Sequence, residues 1–274
     1  MKRQYSTHTI YCQMCAIVVF KQQINRNIYC MKIKNRYNRN YIVHDDDIYW
    51  QKMLSKGIFQ INNIRKLYEL VPKCRTIIDV GSNIGTNSIE YSTWAKTVHS
   101  FEPTPELYNL LCTNLALNQV NIDTVRWDKN LSMNRVSDVY TYCVALGNRE
   151  EKVNMVTHGN NKGKNYIGND VGDVEVVVKT LDSYNFLDVD IIKIDTEGYE
   201  LFVLEGAINT ILKYKPVIQT ELHKGLFKRQ GITIQDVSEW FYKIGYYAVD
   251  KKNVIQPRIL PTEHSGVDLF WLPK

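Results

Sequence analysis

Apolar positions along this chain fall into two kinds of run. Residues 76–80, Thr-Ile-Ile-Asp-Val, are almost wholly apolar, as in a strand buried on both faces, and similar short runs recur at 97–101, 140–145, 174–178, 189–194, 216–222, 246–249 and 269–272. Between them apolar residues return at helical intervals. Residues 48–70 carry Ile58, Ile61, Ile64, Leu67 and Tyr68 and predict a leader helix that closes before Pro72. Residues 86–94 predict a second helix, and residues 105–117 a third, opened by Pro105 and Glu106 as first helical turns favour. Leu201, Phe202 and Leu204 mark another helix after Gly198, and residues 240–244 end one more. Strands alternating with helices predict an α/β fold with an open, mostly parallel sheet, helices on both faces and a terminal strand pair. Residues 158–172, rich in Gly and Asn, interrupt the alternation as an exposed loop or hairpin, a wall or lid over a bound ligand.

Length and composition add little: 274 residues, 44% apolar, suit one sizeable domain with an extra segment. Charge adds more. Of the net +5, residues 1–44 hold eight Lys and Arg and no acid, which leaves the remainder near −3. The chain therefore divides into a basic, poorly ordered arm (1–44), a helical leader packing on the core (45–75) and the main domain (76–274). Such an arm is a solvated tail, a transit peptide, or a contact for anionic lipid or nucleic acid. Residues 9–20 are apolar but interrupted by Gln13 and closed by Lys21, short of the roughly twenty residues a membrane span needs. They also lack Ala-x-Ala cleavage text, so no span and no secretion are expected, and a cytoplasmic protein is. Abundant Asn, Ile, Tyr and Lys point to an AT-rich genome; for a viral one the cytoplasm would be a host's. Of the six cysteines, those inside the main domain lack paired spacing and read as buried free thiols in a reducing compartment. Cys12-x-x-Cys15, with His8 and Cys30 nearby, lacks a second tight pair, and no metal site is predicted there.

The chemistry concentrates at residues 76–85, where a strand ends in Asp79 and breaks into a turn with Gly81 and Gly85. Two glycines let the backbone turn sharply and lie against a ligand. The strand at 97–101 ends in Glu102, roughly twenty residues on, where βαβ nucleotide folds place the acid that binds ribose hydroxyls. Asn83 and Thr86 stand where a dinucleotide fingerprint needs its second and third glycines, which disfavours NAD.

Asp79-Val80-Gly81-Ser82-Asn83-Ile84-Gly85, followed by Phe101-Glu102-Pro103, resembles the S-adenosylmethionine site of class I methyltransferases, and more narrowly the FkbM family. Val144-Ala145-Leu146-Gly147, Thr180-Leu181-Asp182-Ser183, the stretch from Ile191 through Lys193, Asp195, Glu197 and Gly198 to Glu200, and Leu204-Glu205-Gly206-Ala207 extend the resemblance over about residues 76–225. It implies a Rossmann-like class I fold, a mostly parallel seven-stranded sheet with a terminal antiparallel strand. It also implies S-adenosyl-L-methionine as cofactor and O-methylation of a small-molecule or glycan hydroxyl. Gly81, Asn83 and Gly85 would then wrap the methionine and ribose parts, Asp79 orient the turn and the ammonium, Glu102 bind the ribose diol, and Val144 and Ala145 lie along the adenine. Asp79 has a second reading, satisfying backbone N–H groups of the turn. Because family-like text begins near Tyr41, Met31 is an alternative start.

Two pairs at i, i+2 spacing are placed for proton transfer at the strand ends: Asp195 with Glu197, and Glu221 with His223. His223 would accept the acceptor's proton, with Glu221 fixing its tautomer. Carboxylates gathered this way either raise a pKa or recruit a divalent cation, which is not itself predicted. The structural alternatives are Glu197 capping the next helix and Lys193 pairing with an acid. Asp182 is expected to cap a short turn or helix. Two further readings stay open: a nucleic-acid methyltransferase using the basic arm, and a cofactor-binding scaffold without catalysis. Residues 158–172 and 251–266 are expected to shape the acceptor pocket.

Overall fold

The computed structural model describes residues 7–12, 15–25, 28–35, 37–118, 120, 122–124, 138–159, 161–168, 171–256 and 265–274. Four antiparallel strands open the chain: β1 (Thr7–Cys12), β2 (Cys15–Asn25), β3 (Ile28–Lys34) and β4 (Asn40–His44). Helices α1 (Ile48–Lys56) and α2 (Ile61–Leu70) lead into β5 (Thr76–Val80), α3 (Thr86–Tyr91), β6 (Thr97–Phe101), α4 (Pro105–Leu117), β7 (Ile122–Thr124) and β8 (Asp138–Tyr142). A small sheet follows, from β9 (Ala145–Leu146), β10 (Glu151–Val156), β11 (Tyr166–Ile167) and β12 (Val174–Lys179). The chain then runs through β13 (Val189–Ile194), α5 (Glu200–Glu205), α6 (Ile208–Tyr214), β14 (Val217–His223), α7 (Lys224–Arg229), α8 (Ile234–Lys243), β15 (Tyr246–Val249) and β16 (Ser265–Pro273).

The large sheet has the order β15-β16-β14-β13-β5-β6-β8-β7. Neighbours from β14 through β7 pair parallel, and β16 runs antiparallel to β14 and β15. Seven of these strands make the expected open sheet with its terminal antiparallel strand. The eighth, β7, spans three residues at the edge, too few to show a period in sequence. Successive residues feed opposite faces. Ile77 and Ile191 join the core that buries Trp50, Leu54, Ile64, Leu67, Ile89 and Leu111, from α1 to α4. Ile78, Val80, Ile192 and Ile194 join the core with Val203, Leu204, Ile211, Val237 and Phe241, from α5, α6 and α8. Strands β5 and β13 are therefore apolar on both sides, as residues 76–80 implied.

Three expectations change. Residues 48–70 form two helices, because Gly57 closes the first with φ 140° and Gln60 enters the second with φ 50°. The 140–145 run splits: β8 ends at Tyr142, and Ala145 and Leu146 pair with β12 in the small sheet. Residues 28–44, given to a basic arm, lie in β3 and β4, with Cys30, Ile33, Tyr41 and Val43 buried. The basic residues had masked this alternation. The outer edge of β4 is held by α4: Asn40 N donates to Asn118 Oδ1 at 2.9 Å and Ile42 N to Asn114 Oδ1 at 2.5 Å, so two amides one helical turn apart satisfy an edge strand. Arg39, from the same stretch, pairs with Glu90 at 2.7 Å.

Asp182 does cap a helix: its carboxylate accepts from Asn209 N and Thr210 N, both at 2.9 Å, at the start of α6. No helix among the described residues is long and apolar enough to cross a membrane. The Cys12 and Cys15 side chains, with His8, and residues 257–264 of the 251–266 stretch lie outside the described residues.

Candidate active site

A cavity of about 270 Å³ opens where β5, β6, β13 and β14 end, lined by Gly81, Glu102, Asp195 and Glu221 from those ends, the position where open α/β sheets bind ligands. Its first half is the glycine turn. Gly81 has φ +75°, and a Cβ there would meet Asp195 O at 1.9 Å, so only glycine lets the turn pass β13 this closely. Gly81 N and Ser82 N both donate to Phe101 O, at 3.0 and 2.9 Å, tying the turn to β6. Asn83, with φ 50°, turns its backbone N–H to Glu102 Oε2 at 3.0 Å, while Thr104 N donates to Oε1 at 2.9 Å. Turn and acid thus form one unit. Burial nevertheless pushes the Glu102 carboxyl up to about 7, against the pull of those N–H groups. Pro103, Val144, Ala145 and Leu146 give this half an apolar wall.

Two expected ligand residues sit behind the lining. Gly85 enters α3 with φ +86°, and a Cβ there would lie 2.7 Å from Leu111 Cδ1, so the glycine serves packing against α4. Asp79 is fully buried beneath the turn, where Ser88 Oγ donates to Oδ2 at 2.6 Å and Lys193 Nζ stands 3.2 Å from Oδ1.

The second half is acidic. Asp195, Glu197, Glu221 and Asp268 line it. Lys193 lies beneath them, 3.7 Å from Asp195 Oδ2, and donates to Gly81 O at 3.0 Å. Burial alone would lower the Lys193 pKa, but Asp79 and Asp195 outweigh it and hold the ammonium above its usual range. Lysine therefore pairs with acids, the alternative weighed for it. Glu197 has φ 57°, out of extended geometry, and Glu200 instead of Glu197 caps the loop, its Oε1 accepting from Thr196 N at 2.9 Å. Burial, reinforced by Asp195 and neighbouring acids, pushes both Glu197 and Glu221 up to about 8. Glu221 and His223 both flank Gly266, yet the register shift after Leu222 leaves only Glu221 in the lining. His223 Nδ1 is buried without a hydrogen-bond partner among the described residues, so the expected Glu221 contact is not made through it. Among the described residues no three His, Cys, Asp or Glu side chains converge as metal ligands.

These carboxyls set a pH dependence. Glu102, Glu197, Glu200 and Glu221 hold protons in the folded chain up to about 7, 8, 7 and 8, each mainly through burial. Unfolded glutamates release theirs near about 4.3. The folded state thus binds more protons, and stability falls as pH rises through this window. His99, which burial pushes down to about 3, acts oppositely only below its unfolded value of about 6.5. The thermal midpoint is therefore expected to be lower at about pH 8.5 than at about pH 6.5. Glu197→Gln with Glu221→Gln should flatten the slope; a midpoint that rises with pH would contradict the assignment.

Several lining residues escaped sequence reasoning. Asp268 was legible as the lone acid in an otherwise apolar β16. Tyr49, Trp50, Phe59 and Gln60, from α1 and the turn after it, gave no signal beyond ordinary helix text, and Asn161, Lys162 and Lys164 come from the predicted loop. Lys162 Nζ pairs with Glu106 at 3.2 Å. Residues 79–247 match the methyltransferase FkbM domain. Over 163 residues the chain is 30% identical to the hexuronic acid methyltransferase AglP of Haloferax volcanii, covering 60% of this chain and 62% of that protein. The chain therefore spans less than two thirds of that relative. A solved methyltransferase FkbM from Methylobacillus flagellatus aligns with a TM-score of 0.49 at 16% identity, over 73% of this chain and 44% of the other. A TehB-like S-adenosylmethionine-dependent methyltransferase from Corynebacterium glutamicum aligns at 0.46 and 12% identity, over 82% and 94%.

Proposed function

Because the chain belongs to the methyltransferase FkbM family, we propose that it is an S-adenosylmethionine-dependent O-methyltransferase acting on a hydroxyl of a sugar, glycan or related metabolite. The observation that carries this reading is one cavity with two unlike halves: a glycine turn joined to Glu102 beside an apolar wall, and a cluster of carboxyls facing it. The first half suits a nucleoside, with Glu102 for the ribose diol, the backbone of Gly81 to Asn83 for the amino-acid portion and Val144 with Ala145 for the base. Asp79 acts through Lys193 and Ser88 to hold the turn from below. When bound, S-adenosylmethionine supplies a methyl group on an already activated leaving sulfur, so the chain's task is to hold an oxygen in line and take its proton.

Glu221 and Glu197 are matched to that task, since a base works best with a pKa near the operating pH, and theirs reach about 8. Asp195 is fixed by Gln60 Nε2 at 3.4 Å and by Lys193, and orients the hydroxyl. His223 lies outside the lining. The relative that acts on a hexuronic acid supports a sugar as the class of acceptor.

Calorimetric titration with S-adenosylmethionine, S-adenosylhomocysteine and NAD should give binding of the first two only; binding of neither would end this reading. On a competent acceptor, Asp195→Asn and Glu221→Gln are each expected to lower kcat by about 10²–10⁴-fold, and transfer should rise with pH through about 8. Full rates in both variants would overturn the assignment. A comparable loss in His223→Ala alone would return the base to the imidazole, and bound cofactor without transfer to any sugar would favour a scaffold.

A further inference from the structure

The wall of the cavity contributed by α1 and the following turn lies before residue 79, where the family match begins. Tyr49, Trp50 and Phe59 meet edge to face there, with Trp50 and Phe59 centroids 4.9 Å apart and Tyr49 and Trp50 5.5 Å apart. The loop residue Gly163 closes over Tyr49, a Cβ there lying 3.6 Å from the ring. Gln60 joins this wall to the acids, donating to Asp195 Oδ2 and accepting from Asn87 Nδ2 at 2.9 Å. Four cavity-lining side chains keep an unpartnered polar atom among the described residues, Trp50 Nε1, Asn87 Oδ1, Asn161 Oδ1 and Thr196 Oγ1, and Trp50 and Asn87 are only 3% and 4% exposed. Burial and the charges of Asp195, Glu197 and Glu221 raise the Tyr49 pKa, so its hydroxyl stays a donor.

We propose that this aromatic wall is the acceptor subsite and that it takes an uncharged sugar ring, stacked on Tyr49 and Phe59 with its hydroxyls directed to Trp50 Nε1, Asn87 and the acidic cluster. The inference rests on the sugar-hydroxyl reading above. The face of an aromatic ring is negative and attracts the weakly positive C–H bonds on one side of a pyranose. Buried donors and acceptors left without partners favour a ligand that supplies both, as a polyol does. Charge decides against an acidic sugar. Five carboxyls line the cavity against three lysines. Of those lysines, Lys193 is taken by Asp79 and Asp195, and Lys162 by Glu106, which leaves Lys164 facing the carboxyls. Above about pH 8, where Glu197 and Glu221 are ionised as proton acceptance requires, a uronate would bring another negative charge to an already anionic cluster.

At about pH 8.5, where Glu197 and Glu221 are ionised, the test titrates the full chain, saturated with S-adenosylhomocysteine, with neutral methyl hexopyranosides and with the matching methyl hexuronides. The Trp50 indole N–H resonance is followed by nuclear magnetic resonance and assigned through its loss in Trp50→Phe. Neutral glycosides should shift it saturably, and uronides should bind at least about tenfold more weakly, a difference of about 1.4 kcal/mol. Tyr49→Ala and Phe59→Leu should each weaken neutral-sugar binding about tenfold or more while leaving S-adenosylhomocysteine affinity close to wild type, which also shows that they fold. The proposal is overturned if uronides bind as tightly as neutral sugars, if no sugar moves the resonance, or if both variants bind sugars as wild type does. Loss of S-adenosylhomocysteine binding by the wild type would instead sink the methyltransferase reading, and the sugar titration would still report on the wall in the free protein.

Discussion

Lys193→Met is expected to cost about 3–5 kcal/mol of folding stability, the range for removing one partner of a buried ion pair. Lys193 is 2% exposed and Asp79 0%, and the ammonium contributes at 3.2 Å to Asp79, at 3.7 Å to Asp195 and through a 3.0 Å hydrogen bond to Gly81 O. Methionine preserves the stem and removes the charge. Among the described residues Asp79 then keeps the Ser88 hydroxyl as its side-chain donor, and a fully buried carboxylate is left without its cation. Arg75, an exposed cation paired with Asp190, would lose far less by the same operation, because solvent screens it. Urea unfolding separates the two cases. Adding Asp79→Asn to Lys193→Met should recover part of the loss, since the double variant buries no charge at this pair. A single-variant loss below about 1 kcal/mol would show that the pair is not the buried clamp described here.

The second large effect is on ligand binding. Gly81→Ala is expected to lower S-adenosylhomocysteine affinity by about 100-fold or more, about 2.7 kcal/mol. The φ of +75° strains any L-residue, and the new Cβ would fall 1.9 Å from Asp195 O, a backbone atom that cannot rotate away. The turn must move, and with it the Asn83 N–H that holds Glu102 and the carbonyl that Lys193 grips. Gly85→Ala is the control. Its φ is similarly positive at +86°, but its Cβ meets the flexible Leu111 Cδ1 at 2.7 Å on the side away from the cavity. It should cost about 1–2 kcal/mol of stability and much less affinity. Calorimetry with circular dichroism on both variants distinguishes the roles; wild-type affinity in Gly81→Ala would refute the close-approach account.

The cavity was legible in sequence to different depths. Asp79, Gly81, Asn83 and Glu102 stood out because a strand-ending acid, a glycine turn and a second acid one βαβ unit later are local signals. Their division of labour was not legible. That Asn83 offers its backbone to Glu102, or that Asp79 faces Lys193 and away from the cavity, depends on how β5, β6 and β13 stack side by side. Glu221 and His223 show the same limit at finer scale. An i, i+2 spacing puts both on one side, but a register shift against β16 admits only the first to the lining. Asp268 and Gln60 come from positions 208 residues apart and meet in one cavity, and no local period encodes that.

Residue order alone accounts for the alternation of strands and helices, the class of sheet it must build, and the strand ends at which chemistry would gather. Those follow from period, propensity and turn residues, all of which act within a few positions. Packing in three dimensions sets which acids share a cavity, pairs Lys193 with Asp79 beneath it, and brings α1 with its aromatic residues in as the opposite wall. Burial and charge compensation are properties of neighbours in space. A carboxyl whose usual value is near 4 reaches about 8 at Glu221 mainly through burial, and Asp195 and Asp268, which the neighbouring strands β13 and β16 bring close, add to the rise.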